Sequence, residues 1–195
     1  MLEKISEGLL TIISSSQNNF LFVFKVIGVL WLIQIINYLL GYRLNVFGIY
    51  PRTKRGLTGI IFSPFLHGDF NHLFFNSIPL FVLSCLILLN GKTAFYQTSL
   101  IIIILSGFLT WSFGRRAIHI GASNLIMGYF GYLLAASYFN FNATTIIVAI
   151  VCIYYFGGML LSVFPSVTGK NVSWEGHIFG LISGVSLVFL SSYLN

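Results

Sequence analysis

The chain has 195 residues, of which 57% are hydrophobic and only 7% charged, with a net charge of +6; its mean hydropathy is +0.92. Soluble domains carry about 25% charged residues, so this composition excludes a water-soluble enzyme or binding module. The ten Lys and Arg are scattered and form no basic stripe with interleaved aromatics, so nucleic acid is not an expected partner.

Residues 1–19 lack the apolar run and small-residue cleavage pattern of a signal peptide. Leu2, Ile5, Leu9 and Ile12 recur at helical spacing, which leaves two readings, a short interfacial helix or a frayed tail. From there six apolar segments follow, at 20–40, 71–90, 94–113, 123–139, 144–163 and 176–194. About 20 apolar residues span a bilayer as helix, so the expected fold is an all-α polytopic bundle of six transmembrane helices within residues 20–195. Lys25, near the start of the first segment, can snorkel to the interface. The longest connection, Gly41 to Asp69, holds an apolar piece, "LTGIIFSPF", too short to span and suited to the membrane boundary. Cys85 and Cys152 fall inside apolar segments and read as core thiols, not as a disulfide.

Polar residues within membrane segments are functional candidates, and here they sort by position. His67, His72 and Asn76 open the second segment, His119 and Ser123 the fourth, Glu175 and His177 the sixth. Even-numbered helices run in one direction, so these three beginnings share one membrane face and predict a single polar pocket below it. His72 and Asn76, four apart, lie on one helical face. The Ser123 face continues through Met127, Gly131 and Ala135, while Gly176, Gly180 and Gly184 form a ridge of small residues that admits a close neighbour. If the Gly180 ridge packs on the Gly131–Ala135 face, His177 comes within hydrogen-bond reach of Ser123. A serine hydroxyl next to a neutral imidazole is the minimum for nucleophilic catalysis. Backbone N–H groups at the start of a helix, with His72 and Asn76, are candidate oxyanion donors.

His119 lies outside this pocket and reads as interfacial, and Arg115 and Arg116 read as lipid-headgroup anchors. No HExxH occurs and the histidines lack a carboxylate at ligand spacing, so zinc is not expected. A histidine-lined transporter would need paired carboxylates deeper in the helices, and Asp69 and Glu175 sit only at helix mouths.

These motifs resemble the rhomboid family of intramembrane serine proteases. "HGDFNHLFFN" is similar to the family's second-helix signature (His67, His72, Asn76), "GASN" to its GxSx element (Ser123), and "GHIFGLISG" to its sixth-helix motif (His177). The resemblance implies hydrolysis of single-pass transmembrane proteins by a Ser123–His177 dyad without metal or cofactor, with an oxyanion site from the Ser123 backbone, His72 and Asn76. It further implies a bacterial inner-membrane protein with a cytoplasmic amino terminus and a site near the non-cytoplasmic face. The first loop would be membrane-embedded, and the link between the fifth and sixth helices would be a mobile cap. The implied orientation conflicts with the positive-inside rule. It places Arg43, Arg52, Lys54, Arg55, Arg115, Arg116 and Lys170 outside, against Lys4, Lys25 and Lys92 inside.

Two positions depart from the family pattern. Asn124 stands where the family usually has glycine. That glycine can serve a positive φ, for which Asn is the least damaging substitute, or a close substrate approach, which any Cβ obstructs. The Asn amide is also a candidate additional oxyanion donor. Met127 stands where some relatives place an aromatic against the histidine. A catalytically inactive rhomboid-like protein that binds transmembrane helices is the alternative reading.

Overall fold

The computed structural model describes residues 2–164 and 173–194. Seven α-helices follow in order: α1 (Leu2–Leu39), α2 (Lys54–Phe62), α3 (Phe70–Ile87), α4 (Lys92–Phe113), α5 (Ser123–Phe139), α6 (Ala143–Phe156) and α7 (Trp174–Leu194). No strand occurs among the described residues, only an isolated antiparallel bridge between Ile49 and His119.

Among the described residues five stretches are long and apolar enough to cross a membrane: Asn19–Leu39, Phe70–Asn90, Lys92–Phe113, Ala143–Val163 and Trp174–Ser192. The fourth of the six expected segments, α5, is shorter, at 17 residues. At 1.5 Å per residue it is about 25 Å long, less than the roughly 30 Å hydrocarbon core. It is also the helix enclosed by the others, with Leu125, Ile126, Met127, Tyr129, Phe130 and Leu133 all buried. The surrounding helices turn large apolar side chains outward, among them Leu21 and Leu32 of α1 and Ile150 and Ile153 of α6. Such a surface would be a liability in water and suits an integral membrane protein.

Local signals fix the helix starts. Asp69 Oδ1 accepts the His72 N–H at 2.7 Å and caps α3. Asn142 and Thr145 form a reciprocal capping box on α6. The amino-terminal segment is continuous with the first apolar helix, since Leu2–Leu39 is one helix. The connection from Gly41 to Asp69 contains α2 between two 3-10 turns, where the sequence suggested only a loop. Cys85 and Cys152 are free and buried.

Candidate active site

Glycines set how α5 and α7 meet. A Cβ on Gly180 would overlap the Asn124 backbone, and one on Gly184 would overlap the Gly128 carbonyl, so the two helix backbones touch. This corrects the expected register. Gly180 packs against Asn124, about two to three turns before the Gly131–Ala135 face, and Gly131 instead faces the Leu181 carbonyl and Val185. The missed partner is Gly128, which the sequence offered as one more small residue in an apolar helix. Bilayer helices associate through such close packing, because lipid supplies no hydrophobic drive between them.

The first turns of α3, α5 and α7 border a cavity of about 670 Å³ that includes His72, Ser123 and His177. Ser123 is half-buried and opens α5 two residues after Gly121, whose φ of +117° is open to glycine and strained for other residues. The turn also needs glycine for space: a Cβ there would stand 2.8 Å from the His72 ring and 3.5 Å from Asn76 Nδ2. His72 and Asn76 therefore lie against the turn that presents Ser123. Asn76 Nδ2 is buried without a hydrogen-bond partner among the described residues, and so has a donor to offer.

The Ser123 hydroxyl is not hydrogen-bonded to His177 in this structure. His177 Nδ1 lies 3.1 Å from the Ser162 carbonyl oxygen, at the 3-10 turn that follows α6. A carbonyl only accepts, so Nδ1 of the neutral ring carries the proton and Nε2 holds the lone pair. Ser162 is thus the group that orients the His177 ring, a part no sequence motif announces because it belongs to the main chain.

His67 is fully buried behind the nucleophile turn. Its Nε2 accepts the Ala122 N–H at 3.4 Å, and its ring packs edge-on against His72 with centroids 5.1 Å apart. Burial first, then the neighbouring His72, holds its pKa far below the ordinary histidine range, only partly offset by the Phe65 backbone and Asp69. The neutral ring this favours is the one able to accept from Ala122.

Three expectations change. Asn124 neither adopts a positive φ nor offers its amide to the cavity, because it lies inside α5. Its Nδ2 donates to Thr110 Oγ1 at 3.2 Å, and its Oδ1 occupies the space where Gly176 has no Cβ. The side chain ties α4, α5 and α7 together. His119 is not interfacial but buried at the cavity wall, with both ring nitrogens engaged. Arg115 is paired with Glu175, Nε to Oε1 at 3.4 Å, where a headgroup anchor was expected. Met127 is buried in the core. Of the expected cap, residues 165–172, including Lys170, lie outside the described residues. Among the described residues no group of three or more His, Cys, Asp or Glu side chains converges as a metal centre.

A profile of the Rhomboid domain matches residues 54–194. An uncharacterized protein of Mycobacterium tuberculosis is 40% identical over 174 residues, covering 85% of this chain and 72% of the relative. One from Mycobacterium leprae is 38% identical over 171 residues, covering 84% and 67%. A mimivirus protein of Acanthamoeba polyphaga named "Putative rhomboid protein" is 27% identical over 143 residues, covering 71% and 77%.

Proposed function

The chain belongs to the rhomboid family, and from that premise we propose that it is an intramembrane serine protease hydrolysing peptide bonds of transmembrane proteins. The observation that carries the reading is the pairing of Ser123 with His177 on one cavity, with His177 Nδ1 turned to the Ser162 carbonyl. That tautomer leaves Nε2 as the base.

Ser123 Oγ attacks the scissile carbonyl carbon while His177 Nε2 takes the hydroxyl proton. The tetrahedral oxyanion is met by the Ser123 N–H at the positive end of α5, the Asn76 amide and the His72 ring. The His177 imidazolium then gives its proton to the leaving amine, and the acyl-enzyme forms. Water entering the cavity, deprotonated by the same Nε2, hydrolyses the ester. The chain's own groups suffice for this cycle, without metal or cofactor.

In this reading α5 is a span as well, the fourth of six in chain order, short because its mouth is sunk to make the aqueous cavity. The first loop lies at the membrane boundary, and the site faces the non-cytoplasmic side of a bacterial inner membrane. Three of the basic residues that oppose this orientation have structural partners. Arg52 Nη1 donates to the Ser112 and Gly114 carbonyls, Arg55 Nη2 to the Val46 carbonyl, and Arg115 pairs with Glu175. Their charge serves the fold, which weakens the count against the family orientation. The inactive helix-binding alternative drew on Asn124, whose side chain is engaged with Thr110, away from the oxyanion donors.

The test is cleavage of a membrane-spanning reporter by the purified protein in detergent, beside Ser123→Ala. Serine-dependent cleavage supports the protease; no cleavage by the folded wild type supports the helix-binding alternative.

A further inference from the structure

Ser162 orients the His177 ring, but it does not hold the helix turn that carries it. That task falls to a second cluster on the cavity wall. His119 Nε2 stands 2.9 Å from the Arg115 carbonyl oxygen, and Nδ1 stands 2.6 Å from Ser173 Oγ. The carbonyl can only accept, so Nε2 carries the proton, and Nδ1 of the neutral ring accepts the Ser173 O–H. Burial lowers the His119 pKa and favours this neutral form, although the Arg115 backbone and Glu175 pull the other way.

Ser173 Oγ in turn accepts the Gly176 N–H at 3.3 Å, three residues on, as a helix N-cap does. Gly176 directly precedes His177. The backbone of His119 is itself pinned: its N–H reaches the Ile49 carbonyl at 2.9 Å, and its carbonyl receives the Ile49 N–H at 3.0 Å. Beside it, Glu175 Oε1 accepts from both Nε and the backbone N–H of Arg115, each at 3.4 Å. A chain of contacts therefore runs from the first loop through His119 and Ser173 to the first turn of α7.

We propose that His119 is a positioning residue for the base: by accepting the Ser173 hydroxyl proton it aims that oxygen at the Gly176 amide and fixes the turn bearing His177. It is not a second base, since both ring nitrogens are occupied. The kinetic half of the test rests on the protease reading above; the other half does not.

The experiment compares wild type, His119→Phe, His119→Gln, Ser173→Ala and the His119→Phe/Ser173→Ala double variant, purified in detergent. Reporter cleavage gives kcat and KM, and hydrogen exchange is followed on the peptide covering the first turn of α7. His119→Phe and Ser173→Ala are expected to lower kcat about tenfold to hundredfold, the scale of a small misplacement of a catalytic group. KM should stay within about twofold, since substrate contacts are kept. The double variant should be no worse than either single change, because both cut one chain. Glutamine, which donates and accepts without titrating, should recover most of kcat. Exchange in the first turn of α7 should quicken in His119→Phe and Ser173→Ala and return towards wild type in His119→Gln.

Unchanged kcat in His119→Phe, additive losses in the double variant, or unaltered exchange would overturn the proposal. If wild type does not cleave, the protease reading fails on its own and the exchange pattern alone decides the role of His119.

Discussion

The two walls that flank α7, α5 on one side and the 3-10 turn after α6 on the other, are built differently. On one side the α5–α7 seam is locked by backbone contact at Gly180 and Gly184 and by the Asn124–Thr110 bond. On the other, α6 and its 3-10 turn supply the carbonyl that orients His177, yet only 17% of that span is buried, against 39% of the span in α7. Tyr154 and Tyr155 on α6 point almost wholly outward. Ser123 and His177 thus stand on a close-packed seam, while the proton assignment of His177 depends on the less buried wall. If the proposed protease reading holds, the less buried wall is the side on which a substrate helix could be admitted with least disturbance of Ser123 and His177.

This contrast can be broken by substitution. The largest effect is expected from Gly184→Val, whose Cβ would overlap the Gly128 carbonyl and crowd the Tyr132 N. A loss of about 3 kcal/mol is expected, at the upper end for overpacking, and read as a fall in detergent melting temperature with loss of activity. A variant with normal melting and activity would show the seam to be plastic.

Next comes Gly176→Ala, which displaces the Asn124 amide from its slot and costs about 1–3 kcal/mol. Adding Asn124→Gly should return part of that stability, so that the double variant is less damaged than the sum of the singles by more than about 0.5 kcal/mol. Additive melting temperatures would refute the three-helix tie.

Acid should weaken the supports at the mouth of the seam, His67 behind the Ser123 turn and His119 beside the first turn of α7, both buried and biased to the neutral form. Their folded pKa values lie below the ordinary 6.5, so the unfolded chain binds the extra protons. Stability is then complete above pH 6.5 and is lost as pH falls below it, by up to about 1.4 kcal/mol per pH unit for each ring. Melting curves between pH 7.5 and pH 5 measure this, and a flat profile would contradict the neutral assignments. The smallest effect belongs to the less buried wall: Tyr154→Ala should change stability by no more than about 0.5 kcal/mol, and a large loss there would erase the contrast.

What the sequence disclosed follows from what kind of group each part is. Ser123, His177, His72 and Asn76 were legible because polar residues stand out in apolar segments and their spacing puts them at helix beginnings. The glycine ridge of α7 was legible too, but its register was not, since any small residue of α5 can receive it and only three-dimensional packing selects Gly128. Asn124 was misread because the direction of its side chain is decided by Thr110, a neighbour on a different helix. His119 was set aside because it falls between apolar segments, where an interfacial residue and a buried one look alike. Ser162 was beyond reach, as a main-chain carbonyl carries no residue signature.

Activation of Ser123 by His177 can be read out most directly by covalent labelling with a fluorophosphonate probe. Wild type, Ser123→Ala and His177→Ala would be labelled in membranes and the modified peptide mapped. Activation predicts label on Ser123 in the wild type and none there in either variant, with both variants still folded. Labelling of Ser123 that persists in folded His177→Ala, or a folded wild type that takes no label, would contradict it.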